Sequence, residues 1–175
     1  MKEIDTDVLI IGAGLVGLVA AHSLSSLNYN VTVIDKAFLT KNKKSFNDTR
    51  TVAVSEGSKQ FLENLSLWSS LNKYAQPIKT INVYDRTPKN KILFSNSYNN
   101  KKLGYVIENK KFSEILRKKL LDFKNTEIRQ NTFLYKIETN KKISKIFTQK
   151  TKINSKLVIA ADGKNSDTRK IVGNK

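Results

Sequence analysis

The chain has 175 residues and contains no cysteine, one histidine, two prolines and one tryptophan. Without cysteine there can be no disulfide and no thiolate metal site, and a reducing, cytoplasmic setting is expected. His22 has no serine, cysteine or acidic partner suggested by the sequence, so a structural role is expected for it. Paired carboxylates, metal-ligand spacings and nucleophile elbows are missing too; neither a metal site nor a catalytic side chain is expected. The apolar residues 8–21 fall short of the ~20 needed to span a bilayer. The acidic MKEIDTD before them is unlike the basic start of a secretory signal.

Acidic groups are scarce, 15 against 32 basic, giving a formal charge of +17. That balance can mark a nucleic-acid or anionic-membrane binder. The lysines, however, are scattered in ones and twos, as at Lys43 with Lys44, Lys118 with Lys119 and Lys141 with Lys142, among abundant Asn and Ile. No basic stripe interleaved with aromatics stands out. The pattern is one of general compositional drift, and no nucleic-acid partner is expected. Weak contact with anionic lipid is the alternative, placing the chain in the cytoplasm with peripheral contact at the inner face of the membrane.

What is present begins at residues 7–35, DVLIIGAGLVGLVAAHSLSSLNYNVTVID, which read as strand, glycine turn, helix and strand. Residues 8–11 are an apolar, β-branched run suited to a strand buried on both faces. Gly12, Gly14 and Gly17 follow as G-x-G-x-x-G. In a dinucleotide site the first permits the tight turn, the second lets a pyrophosphate approach the backbone, and the third lets the helix pack closely. Backbone amides around Ala13, Leu15 and Val16, at the positive end of the helix, are placed to receive phosphates. Residues 31–34 form the next strand and deliver Asp35, where an acceptor for ribose hydroxyls belongs. The length predicts one domain.

Further along, Ser55 can cap a helix with Lys59, Phe61, Leu62 and Leu65 in its body, and Leu67, Trp68 and Leu71 continue it; Trp68 is expected in the core. Residues 80–86 and 91–95 alternate apolar and polar, as two antiparallel strands turning at Pro88 do. Residues 104–107 read as a strand and 109–123 as a helix whose apolar face carries Phe112, Ile115, Leu116, Leu120 and Phe123. Its outer face, with Lys110, Lys111, Arg117 and Lys118, is expected in solvent. Residues 126–129, 132–138 and 143–148 return to strand, the last two as a hairpin. Residues 156–161 form an apolar strand ending in Asp162-Gly163, with Ser166 or Asp167 capping a short helix.

Three separated segments resemble one family: IIGAGLVGLVAA with VTVID, then DTRTVAVSEGSKQFLENLSLW, then LVIAADGKNSDTRK; GYVIENKKFSEIL between them adds to the likeness. Together they are similar to the flavin-dependent aromatic hydroxylases of the para-hydroxybenzoate hydroxylase type, with the closest likeness to the ubiquinone-biosynthesis hydroxylases. The resemblance implies an α/β fold: a Rossmann-like FAD/NAD(P)-binding domain with a parallel sheet plus a small antiparallel element. It implies FAD as cofactor, NAD(P)H as reductant, O2 as co-substrate and a small aromatic substrate, a polyprenyl phenol. Gly12, Gly14 and Gly17 would cradle the FAD pyrophosphate and Asp35 would hold the adenosine ribose. Arg50 would reach the cofactor with a planar fork suited to phosphate or flavin oxygens, and Asp162 and Gly163 would form the motif that contacts FAD. Asn109 lies near where relatives place a flavin-contacting polar residue.

Members of that family are usually considerably longer and continue to a second Gly-Asp motif and a substrate pocket, neither of which follows Arg169 here. Residues 1–175 are therefore expected to be an incomplete FAD-binding domain, as a fragment, a truncated frame or half of a two-chain enzyme complemented by a C-terminal chain. Little hydroxylase activity is expected of it alone. The alternative is a non-catalytic dinucleotide-binding fragment.

Overall fold

The computed structural model describes residues 2–37, 49–84, 91–95 and 102–173. The packing of the chain divides it into two compact units, residues 1–47 with 116–175 and residues 48–115.

The first unit is built on a six-stranded sheet. Its strands are β1 (Lys2–Ile11), β2 (Val31–Ile34), β8 (Thr126–Arg129), β9 (Leu134–Thr139), β10 (Ser144–Thr148) and β11 (Thr151–Ala160), in the order β8-β2-β1-β11-β10-β9. The first four of that order run parallel, β10 runs antiparallel to β11, and β9 runs antiparallel to β10. The helix α1 (Leu15–Ser26) makes the crossover from β1 to β2 and packs on both, with Leu18 and Ala21 fully buried. Val8, Leu9, Ile10 and Ile11 are all buried, as a parallel strand covered on both faces requires. Leu9, Ile11, Ile34, Ile146 and Ile153 form one continuous cluster, each such side chain contributing roughly 1.5–3 kcal/mol by leaving water.

Two strands are longer than their apolar runs predict. β1 begins at Lys2, and its acidic first half pairs with the polar first half of β11, from Lys2↔Thr151 to Thr6↔Ser155. Charge complementarity extends the ladder: Glu3 accepts from Lys152 Nζ at 2.9 Å, and Asp7 accepts from Lys156 Nζ at 2.7 Å. Period-two patterning stops where the side chains become charged, but backbone pairing does not. At the other end of β11 the expected apolar burial is partial, since Leu157 is 51% exposed.

The second unit holds a three-stranded antiparallel sheet, β3 (Thr51–Ser55), β7 (Gly104–Glu108) and β4 (Gln76–Ile78), in the order β3-β7-β4. The helix α2 (Glu56–Asn64) starts at Ser55 as expected, whose hydroxyl accepts from the Ser58 amide at 3.2 Å. Leu62 faces the core, but Phe61 is half exposed. The helix α3 (Trp68–Leu71) buries Trp68 edge-on to Tyr105, with ring centroids 4.9 Å apart. β5 (Thr80–Tyr84) and β6 (Lys91–Ser95) pair as a separate two-stranded ribbon, and their turn lies outside the described residues. The helix α4 (Asn109–Leu120) follows β7 directly and runs from this unit into the first. The short α5 (Asp167–Ile171) ends the described chain.

Candidate functional site

In the order β8-β2-β1-β11, the chain leaves β1 toward one side through β2 and returns to the other side with β11, so the sheet has a topological switch between β1 and β11. Ligands of open α/β sheets bind beyond the carboxyl ends of the strands at such a point. A pocket of about 270 Å³ lies there, lined at the strand ends by Gly12, Gly14, Asp35, Ala161, Asp162 and Gly163. The register fixes this meeting: Ala161 N–H donates to Ile11 O at 2.7 Å, and Gly12 N–H donates to Ile34 O at 2.8 Å.

The three glycines of the turn do different things. Gly12 has φ +109°, and a Cβ there would run into the Ala161 carbonyl. A Cβ at Gly17 would collide with the Gly12 carbonyl and touch the Ala161 methyl at 3.4 Å, so this glycine is what lets α1 press onto the turn. Gly14 has φ −74°, ordinary for any residue, and a Cβ there would meet nothing within 4 Å. Its side of the loop is open. Gly14 also caps α1 with no side-chain bond, and the first intrahelical bond runs from Leu18 N–H to Gly14 O. The amides of Leu15 and Val16 therefore precede the helical ladder and are donors without a partner among the described residues at its positive end.

Ala13 offers no such donor. Its N–H is held by Asp35 Oδ2 at 2.6 Å, while Asp35 Oδ1 accepts from Ala37 N–H at 2.7 Å. Asp35 thus ties the end of β2 to the glycine turn. A carboxylate has about four lone-pair sites, so two remain for a ligand. Asp162 works similarly at the end of β11: it accepts from Ser166 Oγ at 2.6 Å, Thr168 N–H at 3.0 Å and Thr168 Oγ1 at 2.9 Å. Burial pushes its pKa up, but the Ser166 and Thr168 donors outweigh that, and the net direction is down. Ser166 also caps α5, accepting from Arg169 N–H at 2.9 Å, so the strand-end turn is as expected.

Arg50 and Asn109 lie in the second unit, where the sequence neighbours β3 and α4 bring them together: Asn109 N–H donates to Arg50 O at 3.0 Å. Asn109 Oδ1 is buried and has no hydrogen-bond partner among the described residues. His22 is structural in setting, buried edge-on against Phe123 at 5.0 Å, and desolvation pushes its pKa down.

Sequence reasoning missed part of the lining. Lys36, Thr132, Phe133, Leu134 and Asp167 border the same pocket, with Lys36 Nζ 2.9 Å from Asp167 Oδ2 across its rim and Thr132 N–H donating to Asp35 O at 2.8 Å. Their placement depends on strand order, which no local pattern carries. Arg117 was expected on a solvated face. Instead it is half-buried and its Nη2 donates to Ala13 O at 3.0 Å. Only five of the 32 basic residues are arginine, so a guanidinium where lysine is the habit was the available signal. A larger depression, about 440 Å³, lies in the second unit beside Tyr74, Glu108 and Lys111. Its charges already oppose one another, with Lys111 Nζ 3.4 Å from Glu114.

Among known proteins, the chain is 24% identical to the ubiquinone hydroxylase UbiM of Neisseria meningitidis, over 98% of this chain and 39% of that protein. It is 25% identical to the 3-demethoxyubiquinol 3-hydroxylase of Escherichia coli, over 99% of this chain and 45% of that one. The chain therefore spans less than half the length of these relatives. Among solved structures, p-nitrophenol 4-monooxygenase PnpA from Pseudomonas putida superposes with a TM-score of 0.81 at 21% identity, over 99% of this chain and 44% of that one, which shows the shared fold. The model of the FAD binding domain matches residues 5–175, and the chain belongs to that family.

Proposed function

We propose that the chain is the FAD-binding portion of a flavin-dependent monooxygenase that hydroxylates a small aromatic ubiquinone precursor, a polyprenyl phenol, with NAD(P)H and O2. Residues 1–175 on this reading form one incomplete FAD-binding domain. The observation that carries it is the open space beside Gly14, at the uncapped start of α1 and inside the pocket at the β1/β11 switch. A side chain would fill that cradle, and a phosphate fits it.

On this proposal Gly12 and Gly17 shape the turn, and the amides of Gly14, Leu15 and Val16 donate to the FAD diphosphate. Ala13 serves through its fixed backbone, and Asp35 accepts from the adenosine ribose with its remaining lone pairs. Asp162 and Gly163 close the pocket at the end of β11. Arg50 is assigned to the cofactor on the motif resemblance alone, and Asn109, whose Oδ1 has no hydrogen-bond partner among the described residues, is assigned to it in the same way. When bound, FAD supplies the redox and oxygen chemistry; the protein binds and orients it.

The test is a titration of the purified chain with FAD, followed by flavin absorbance and fluorescence, alongside Gly14→Val. Saturable binding by the wild type, abolished in the variant without a fall in melting temperature, is expected because the Gly14 backbone accepts any residue. No saturation, or equal binding by the variant, overturns the reading. The chain alone, given FAD, NADPH and a phenol, is expected to yield no hydroxylated product.

A complementing C-terminal portion, in the same polypeptide or a second chain, is supported by the ribbon β5–β6. Ile81 pairs with Phe94 and Val83 with Ile92, which places all four on one face, each 42–60% exposed. A lone two-stranded ribbon is marginal in water, and the relatives' remaining length is available to cover it. Adding the C-terminal portion of a relative should slow hydrogen exchange in β5 and β6; unchanged exchange removes the proposal and leaves a non-catalytic dinucleotide-binding fragment. Among the described residues no helix is long and apolar enough to cross a membrane. The basic excess supports weak peripheral contact to anionic lipid, checked by salt-sensitive sedimentation with phosphatidylserine vesicles, and the lack of cysteine supports a cytoplasmic chain.

A further inference from the structure

Ala13 is gripped at both ends of its backbone. Asp35 holds its N–H at 2.6 Å and Arg117, from α4, holds its carbonyl at 3.0 Å. Its side chain is only 1% exposed, so the residue is fixed on every side. The Ala13–Gly14 peptide is trans, as are all peptides of the described chain, and in a trans peptide the carbonyl and the next N–H point in opposite directions. A donor that fixes the Ala13 carbonyl therefore fixes the aim of the Gly14 N–H. Gly14 is the residue with open space beside it and the cap of a helix start that lacks any side-chain cap. A cation on the carbonyl also polarises the peptide and strengthens the N–H at its other end. A donor aimed before the ligand arrives costs no ordering on binding.

We propose that Arg117 is a positioning residue for the diphosphate of the bound dinucleotide: it holds the Ala13 carbonyl so that the Gly14 amide faces the phosphate, and brings a positive charge to the back of the same peptide. The proposal rests on the FAD reading above and assigns a role to a residue outside the glycine motif. Lysine at this position would keep the charge and one donor but lose the rigid fork. Methionine would keep the packing of the stem and lose both.

The experiment titrates the full chain and its Arg117→Met and Arg117→Lys variants with FAD, ADP and adenosine, and records the amide spectrum of 15N-glycine-labelled protein. Seven glycines make that spectrum small enough to assign, with Gly14→Ala identifying the one peak. Arg117→Met should weaken FAD and ADP by about ten- to a hundredfold, the range for one charge-assisted hydrogen bond. Adenosine, lacking phosphate, should bind as before. Arg117→Lys should recover part of the loss. The Gly14 peak should shift on adding ADP to the wild type and shift less in Arg117→Met. Equal ADP affinity in Arg117→Met, or an equal loss for ADP and adenosine that follows a lowered melting temperature, overturns the role; the second result is that of a merely structural contact. If Arg117→Met does not fold, an unaltered Gly14 shift and ADP affinity in Arg117→Lys overturn it as well. A wild-type chain that binds neither FAD nor ADP overturns the cofactor reading and this role with it, an outcome distinct from wild-type binding that Arg117 does not affect.

Discussion

The two compact units treat their β-structure differently. In the first, β1 has a hydrogen-bonded neighbour on both sides, its residues 8–11 are buried, and the ends of β2 and β11 at the pocket are tied to the end of β1 by bonds of 2.6–2.8 Å. In the second, the sheet β3-β7-β4 has its own core in Val54, Leu62, Leu67, Trp68, Leu71 and Ile107, but the ribbon β5–β6 shows apolar side chains on a face nothing described covers. Among the described residues the first unit holds its pocket with its own strand ends. The second leaves apolar side chains of its ribbon in solvent among the described residues.

The sharpest way to break that comparison is to truncate one side chain from each. Leu9→Ala, at a position with no exposure, should cost about 2–5 kcal/mol in urea unfolding. Ile92→Ala, 60% exposed, should cost less than about 0.5 kcal/mol in the isolated chain. A comparable cost at the two positions would show that the ribbon is already buried in solution.

Next in size is the clasp at Asp162. Asp162→Ala removes an acceptor of three hydrogen bonds and should cost about 1.5–3 kcal/mol. Its pH dependence has a definite sign. The native pKa is lowered, so the contribution is fully present above the unfolded-state value near 4 and is lost as pH falls through the native value. Asp162→Asn should therefore show a shallower loss of stability between pH ~5 and ~2 than the wild type. A residual slope remains from Glu3 and Asp7, whose pKa values are also lowered, by Asn154 and Lys152 and by Lys156 and Asn30. Identical slopes in the two proteins would show that Asp162 does not clasp α5.

The smallest effect tests local capping in the second unit. Ser55→Ala loses the hydroxyl that accepts from Ser58 N–H and should cost about 1 kcal/mol, measured by thermal unfolding, with Ser55→Gly closer to wild type. If Ser55→Ala is neutral, α2 is held by its packing through Leu62 and by the Lys59 bridge to Glu63 at 2.9 Å.

The residues themselves determined the β1-α1-β2 segment. An apolar run of four, a glycine turn, a helix and a second run of four are all short-range patterns, and β2 falls at residues 31–34 as read. The caps at Ser55 and Ser166 were legible for the same reason, since a cap acts on amides two or three residues away. Strand ends were less so: β1 and β11 extend through charged positions because pairing across the sheet, invisible along the chain, neutralises Glu3 and Asp7. The three family segments pointed to FAD and to a part of a longer enzyme.

Only the tertiary structure decided what stands beside the glycine turn. That Ala161 meets Gly12 follows from β11 inserting next to β1, a pairing across about 150 residues of chain. That Asp35 spends a lone pair on the Ala13 amide, and that Thr132 to Leu134 border the pocket, follows from the same strand order. Arg117 is the clearest case. Periodicity separates the polar side of α4 from the apolar side, but it cannot say which polar residue meets solvent and which meets a carbonyl. That depends on what the helix is packed beside, and here it is the Ala13 carbonyl of the glycine turn.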